Sequence, residues 1–210
     1  MTLHTGLFVA EGTSDAPLAA LVTDLFAEHD VRLRLQEPDF SWLKVAKDVR
    51  SKVVAGIELA KTDFNVIVVH RDADNAGAAA RTQEIVEAVT GLAAGARVVP
   101  VVPVRMTEAW LLLDEAAIRR VAGNPNSRAK LGLPKLHEVE SVADPKDVLA
   151  RCLLTAADCT GRRRDQVRKR FGDHRRNLLQ RLDPHGPVTK LASWQRLVDS
   201  VAAAAAELLA

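Results

Sequence analysis

The sequence predicts an α/β fold, a mostly parallel four-stranded sheet with helices on both faces, followed by an α-helical C-terminal extension. Strand-like and helix-like patterns alternate through the first 122 residues, as they do when crossover helices join parallel strands. Val66-Ile67-Val68-Val69 is an unbroken run of branched aliphatics, which stays dry only in a sheet covered above and below. From Pro145 onward the apolar spacing is helical alone. The expected division is an α/β domain over residues 1–122, a loop or insertion over 123–144 and a helical extension over 145–210.

The first strand is expected over residues 3–10, running into Glu11-Gly12-Thr13-Ser14-Asp15. Gly12 permits a tight turn, and Thr13 or Ser14 can cap the helix carrying Leu18, Leu21, Val22, Leu25 and Phe26. Residues 31–35 alternate with period two and read as a half-exposed edge strand before Pro38. Trp42, Val45, Val49, Val53 and Ile57 recur every three or four residues and predict a helix over 42–59. The central strand follows and ends in His70-Arg71-Asp72-Ala73-Asp74-Asn75. A helix over 76–89, a strand over 97–104 and a helix over 106–121 complete the alternation.

Residues 123–144 hold breaks such as Asn124-Pro125-Asn126 and Leu133-Pro134. Asp144-Pro145 then reads as an N-cap with proline in the first turn of a helix over 145–157. A helix over 162–182 keeps one apolar stripe, Val167, Phe171, Leu178 and Leu182, at spacings of 4, 7 and 4. A last helix over 188–209 carries Leu191, Trp194, Val198, Val201, Ala205 and Leu208, a seam short enough to be core rather than an oligomer interface. Cys152 and Cys159 form no metal-type pair and read as small core residues of a reducing compartment. Without a leader-like or membrane-length apolar stretch, a cytoplasmic protein is expected.

The formal charge of +2 conceals an uneven distribution. Residues 162–181 hold nine Lys or Arg against Asp165 and Asp173, a local charge of +7 that leaves −5 on the rest. Such a segment attracts polyanions whatever the total charge, so nucleic acid is the expected partner. Arg163, Arg164, Arg168, Lys169, Arg170, Arg175 and Arg176 are the candidate phosphate-backbone contacts.

Acidic residues gather at three strand ends: Glu11 with Asp15, Asp72 with Asp74, and Glu108. In an open parallel sheet these ends share one crevice. Five carboxylates so placed call for a hard cation, Mg2+ or Mn2+, which takes oxygen ligands and can share them with a substrate phosphate. Glu11, Asp15, Asp72, Asp74 and Glu108 are the candidate ligands, with Glu11 and Asp72 the candidate catalytic pair. The same residues also suit plainer roles. Asp72 and Asp74 can sit in a helix-capping turn, Glu11 and Asp15 in a helix start, and Glu108 in a first helical turn. His70 can simply hydrogen-bond at its strand end, and Trp110 suits a core better than a base-stacking platform.

Strand-Glu11-Gly12-x-Ser14-Asp15 followed by strand-Asp72-x-Asp74 resembles the Toprim domain of topoisomerases, primases and overcoming-lysogenisation-defect nucleases. With Pro103-Val-Arg105-Met-Thr-Glu108-Ala-Trp110-Leu-Leu-Leu-Asp114, Asp144-Pro145-Lys146 and Ser193-Trp194-Gln195, nearly the whole chain is similar to domain-of-unknown-function family 4276, a bacterial Toprim-like group often linked to phage defence. That resemblance implies a Mg2+-dependent nuclease or related phosphodiester-processing enzyme in which the first-strand Glu and the Asp-x-Asp bind the metal. It departs from the pattern at His70-Arg71, where more apolar residues are expected and where Arg71 can pair with a carboxylate or a phosphate. Two other functions stay open: a nucleotide-sugar glycosyltransferase holding a metal and diphosphate with Asp-x-Asp, and a non-catalytic adaptor for a defence-system partner such as an ATPase.

Overall fold

A computed structural model describes residues 2–210. Its four strands are β1 (Leu3–Val9), β2 (Arg32–Gln36), β3 (Val66–His70) and β4 (Arg97–Val101), all parallel in the order β2-β1-β3-β4. The helices of the first half are α1 (Pro17–Ala27), α2 (Val49–Ala60), α3 (Ala78–Val89), α4 (Glu108–Leu111) and α5 (Glu115–Val121). Those of the second half are α6 (Pro145–Ala157), α7 (Gly161–Lys169), α8 (Phe171–Leu179) and α9 (Ala192–Leu209). The α/β reading therefore holds, with helices on both faces. Among the described residues no helix is long and apolar enough to cross a membrane.

Period-two alternation divides the strand side chains between two cores. Phe8, Leu33, Val66, Val68, Val99 and Val101 face one core, shared with α1, α4, α6, α8 and α9. Leu7, Val9, Ile67 and Val69 face the other, closed by Val49 and Val53 of α2 and Ile85 and Val89 of α3. Every residue of β3 is buried, as its uninterrupted apolar run requires. Gly56 lets α2 lie close on β1, since a Cβ there would meet Leu7 Cδ1 at 2.9 Å. One turn earlier on α2, Lys52 reaches over the end of β1 and donates to the carbonyls of Ala10 and Glu11.

The C-terminal helices do not stand apart from the sheet. Trp194, Leu197, Val201 and Ala205 of α9 belong to the same apolar cluster as Phe8 and Val68, so one core runs across the expected boundaries at 122 and 145. Trp110 and Trp194 meet edge to face at 5.2 Å in that core, and the Trp110 indole N–H donates to Ser193 Oγ. The seam of the last helix and the core assignment of Trp110 are both borne out, and Cys152 is buried beside them.

Several helix boundaries differ from expectation because polar side chains interrupt apolar patterns. Asp48 caps α2 by accepting from Ser51 N, so the helix starts at Val49 and residues 37–48 form a loop with Trp42 exposed. Asp114 accepts from Ala117 N and divides the expected 106–121 helix into α4 and α5. The expected 162–182 helix turns at Arg170 into α7 and α8. Neither Thr13 nor Ser14 caps α1: a short 3-10 turn over Thr13–Asp15 precedes it, and Ala16 is its N-cap without a side-chain bond.

Candidate active site

Strand order determines where a site can form. The chain passes from β1 to β2 on one side and then crosses to β3 on the other, so the connections leaving β1 and β3 diverge. A crevice opens at such a switch point outside the carboxyl ends of the strands. Glu11 follows β1 and Asp72 follows β3, on either side of it. A cleft of about 360 Å3 lies there, and Glu11, Asp15, Asp72, Asp74 and Glu108 all line it. The predicted convergence of the five carboxylates is met.

Of the plainer roles, Glu108 does stand in the first turn of α4 and Asp15 in the 3-10 turn before α1, but Asp72 and Asp74 cap no helix. The N-cap of α3 is Gly77, with no side-chain bond, so neither Asp72 nor Asp74 caps that helix. Past β3 the backbone stays beside β4's continuation, with Arg71 N donating to Val101 O, Ala73 N to Pro103 O and Asp74 N to Arg105 O. At Asp74 it turns into the left-handed region, φ 46°. The extended geometry thus ends one residue short of Asp74, yet both carboxylates still line the cleft.

The cleft has a buried half and an open half. In the buried half, Arg175 of α8 donates through Nη2 to Asp15 Oδ1 at 2.6 Å, through Nε to Glu108 Oε1 at 2.8 Å and through Nη1 to the Ser14 carbonyl at 3.1 Å. All three side chains are buried, Arg175 to 6% exposure. Arg175 therefore drops out of the expected phosphate-contacting set, because its donors are committed inside the protein. Asp15 and Glu108 are likewise not free carboxylates. Their charge is already matched by a guanidinium that binds α8 to the 3-10 turn after β1 and to α4.

His70 lies at the junction of the two halves, buried to 1% exposure. Its Nε2 is 3.0 Å from Thr107 Oγ1 and 3.4 Å from Asp72 Oδ1, while Nδ1 faces Asp15 Oδ2 at 3.8 Å. Thr107 donates to Asp72 Oδ1 through both its backbone N (3.0 Å) and Oγ1 (3.2 Å). With its hydroxyl proton so used, Thr107 Oγ1 accepts from His70 Nε2–H, and the pair orients the aspartate. Burial works to raise the Asp72 pKa, but hydrogen bonding and charge from His70, the Thr107 N–H and the charge of Arg175 together lower it.

In the open half, Glu11 Oε2 accepts only from Asp72 N, at 3.2 Å, with Arg71 Nε 3.9 Å away. Arg71 also approaches Glu84 at 3.7 Å, the carboxylate pairing open to it from sequence. Asp74 lies 3.7 Å from Arg81. Desolvation and the negative charges of Asp72 and Glu11 push the Asp74 pKa above its ordinary value, so the nearby arginines do not offset the local repulsion. Among the described residues, no ready-made cluster of His, Cys, Asp or Glu has metal-binding geometry. Asp72 Oδ2, both Asp74 oxygens and Glu11 Oε1 nonetheless retain free acceptor capacity, the donor chemistry a hard cation requires.

Two residues were not singled out from sequence as part of the site. His70 is essential to its geometry, and its signal was a polar residue ending a strand buried on both faces. Lys146, at the start of α6, reaches the same cleft and is exposed, with no carboxylate partner among the described residues. On α7, Arg163, Arg164, Arg168 and Lys169 are exposed, as are Arg170 at its end and Arg176 on α8. No protein-family model, curated protein or solved structure matches the chain, so the chemistry of the cleft rests on its own geometry.

Proposed function

We propose that the chain is a Toprim-like, Mg2+- or Mn2+-dependent phosphodiester hydrolase, a nuclease in the simplest form of the reading. The observation that carries it is the uneven neutralisation of the acidic cleft. Asp15 and Glu108 have a cation of their own in Arg175, whereas Glu11, Asp72 and Asp74 accept no hydrogen bond from a lysine or arginine among the described residues. Those three residues would hold the ion, with water completing its shell. When bound, a hard divalent ion lowers the pKa of water and polarises a phosphoryl oxygen.

The protein's own groups supply the rest. Thr107 and His70 hold Asp72 in one orientation through Oδ1, leaving Oδ2 without a hydrogen-bond donor among the described residues. Glu11, the more exposed of the catalytic pair, takes the proton of the attacking water. Lys146 supplies a mobile positive charge for the phosphate. Arg163, Arg164, Arg168, Lys169, Arg170 and Arg176 bind the flanking backbone without regard to sequence. A role in phage defence, alongside an ATPase or another partner, belongs to the same reading and rests on the sequence resemblance alone.

The test is cleavage of labelled DNA and RNA with Mg2+, Mn2+ or EDTA, by wild type and by Asp72→Asn. The asparagine keeps an oxygen for Thr107 N, so the fold should persist by circular dichroism while divalent-dependent cleavage disappears. Undiminished cleavage by the variant contradicts the assignment. If the wild type neither cleaves nor binds Mn2+, the adaptor function replaces it.

A further inference from the structure

A second cavity, of about 680 Å3, opens beside the acidic cleft and shares Glu11 and Gly12 with it. Its volume lies in the range of small-molecule sites. Phe8, Pro38 and Phe40 give it apolar walls, and Glu37 and Asp39 line it as acceptors. Arg176 lines it too, close enough for its charge to act on Glu37.

The loop that supplies Pro38 and Phe40 continues into Trp42. Of the three tryptophans, Trp110 and Trp194 are buried in the core, whereas Trp42 is 89% exposed. A defined turn presents it: Ser41 N donates to Asp39 Oδ1 at 2.8 Å and Leu43 N donates to the Phe40 carbonyl at 3.0 Å. Lys44 and Lys47 follow, both exposed. An indole left in water beside lysines, next to an aromatic-walled cavity, has the composition of a surface that stacks bases and attracts phosphates.

We infer that residues 37–47 and this cavity bind unpaired nucleobases of the strand whose phosphate lies at Glu11 and Asp72, making single-stranded nucleic acid the substrate class. This rests on the phosphodiester reading of the adjoining cleft. The base entering the cavity lies against Phe40 and Phe8, with Glu37 or Asp39 accepting from an exocyclic amino group. Trp42 stacks on a neighbouring base, and Lys44, Lys47 and Arg176 meet the phosphates between them. A duplex hides its base faces and cannot use these contacts.

Because Trp42 is the one exposed tryptophan, its emission reports the contact directly. The experiment titrates the whole chain, in EDTA to prevent cleavage, with an oligo(dA) strand, an abasic strand of equal length and a duplex. Binding is followed by anisotropy and by tryptophan fluorescence. The oligo(dA) strand should quench the exposed emission and bind on the order of tenfold more tightly than the abasic strand. Trp42→Ala should reduce that preference, the cavity keeping the remainder, and Trp42→Phe should restore it without the fluorescence signal. Equal binding of oligo(dA) and abasic strands, with Trp42 emission unchanged, overturns the base site but leaves the phosphodiester reading standing; it is the result expected if the turn serves a protein partner. Quenching by duplex equal to that by single strand also overturns it. If none of the three binds, this inference fails, while the phosphodiester reading stands or falls by the cleavage measured with Mg2+ or Mn2+.

Discussion

Asp15 and Glu108 line the same cleft as Glu11, Asp72 and Asp74, yet the two groups are held in different ways. The first pair is buried and closed by Arg175 through charge-assisted hydrogen bonds of 2.6 and 2.8 Å. The second group is more open, and its nearest arginines stand 3.7–3.9 Å away. Desolvation accounts for the division. A carboxylate taken wholly out of water must have a fixed partner, whereas one at the cleft mouth can keep its charge available to a ligand. Acids paired to a buried cation thus lie beneath acids with free acceptor capacity, with His70 and Thr107 between them.

The largest effect should come from breaking the buried half. Arg175→Met leaves two buried carboxylates without their cation and should cost about 3–5 kcal/mol in urea denaturation. The triple variant Arg175→Met, Asp15→Asn, Glu108→Gln should recover most of that loss. A loss from Arg175→Met no greater than a surface substitution produces would mean the triad does not anchor α8.

Next in size is the junction. Thr107→Val keeps the side-chain shape but removes the hydroxyl that bridges His70 Nε2 and Asp72 Oδ1, for a loss of about 1–3 kcal/mol. It should also shift the His70 imidazole signals in a heteronuclear NMR spectrum, and unchanged signals would argue against the bridge.

The smallest effects have opposite signs at two neighbouring aspartates, measured without metal. The folded pKa of Asp72 is lowered, so its contribution is fully present above the unfolded value of about 3.9 and is lost as pH falls through the folded one. Asp72→Asn should therefore destabilise at neutral pH, with the deficit closing in acid. The folded pKa of Asp74 is raised, so its ionised form costs stability, and that cost vanishes as pH falls through the raised value. Asp74→Asn should stabilise at neutral pH by less than about 1 kcal/mol, given its exposure, and the gain should disappear in acid. Equal signs for the two variants would undo the contrast between them.

The sheet, its fully buried central strand and the gathering of acids at its strand ends were legible because period and strand order are encoded locally. The division of labour among those acids was not, because it depends on which cation folds inward. Within the nine cations of residues 162–181 one signal did exist. The stripe Val167, Phe171, Leu178, Leu182 has a gap of seven, and Arg175 fills the vacancy on that face. Asp48 and Asp114 were similar signals: each sits inside an apolar pattern and begins a helix there. The pattern-based helix over 42–59 swept Trp42 into a core face because Val49, Val53 and Ile57 share its spacing, although Asp48 starts the helix after it. His70 hydrogen-bonds at its strand end as expected, but its partner Thr107 comes from the segment after β4, a contact no local pattern encodes.

Calorimetric titration of Mn2+ into the metal-free chain separates the open acids from the buried ones. Wild type should bind the ion, Asp74→Asn and Glu11→Gln should weaken or abolish binding, and the Arg175→Met, Asp15→Asn, Glu108→Gln variant should retain it. No binding by the wild type, or binding lost only when the buried triad is removed, would contradict the assignment of the ion to the open acids.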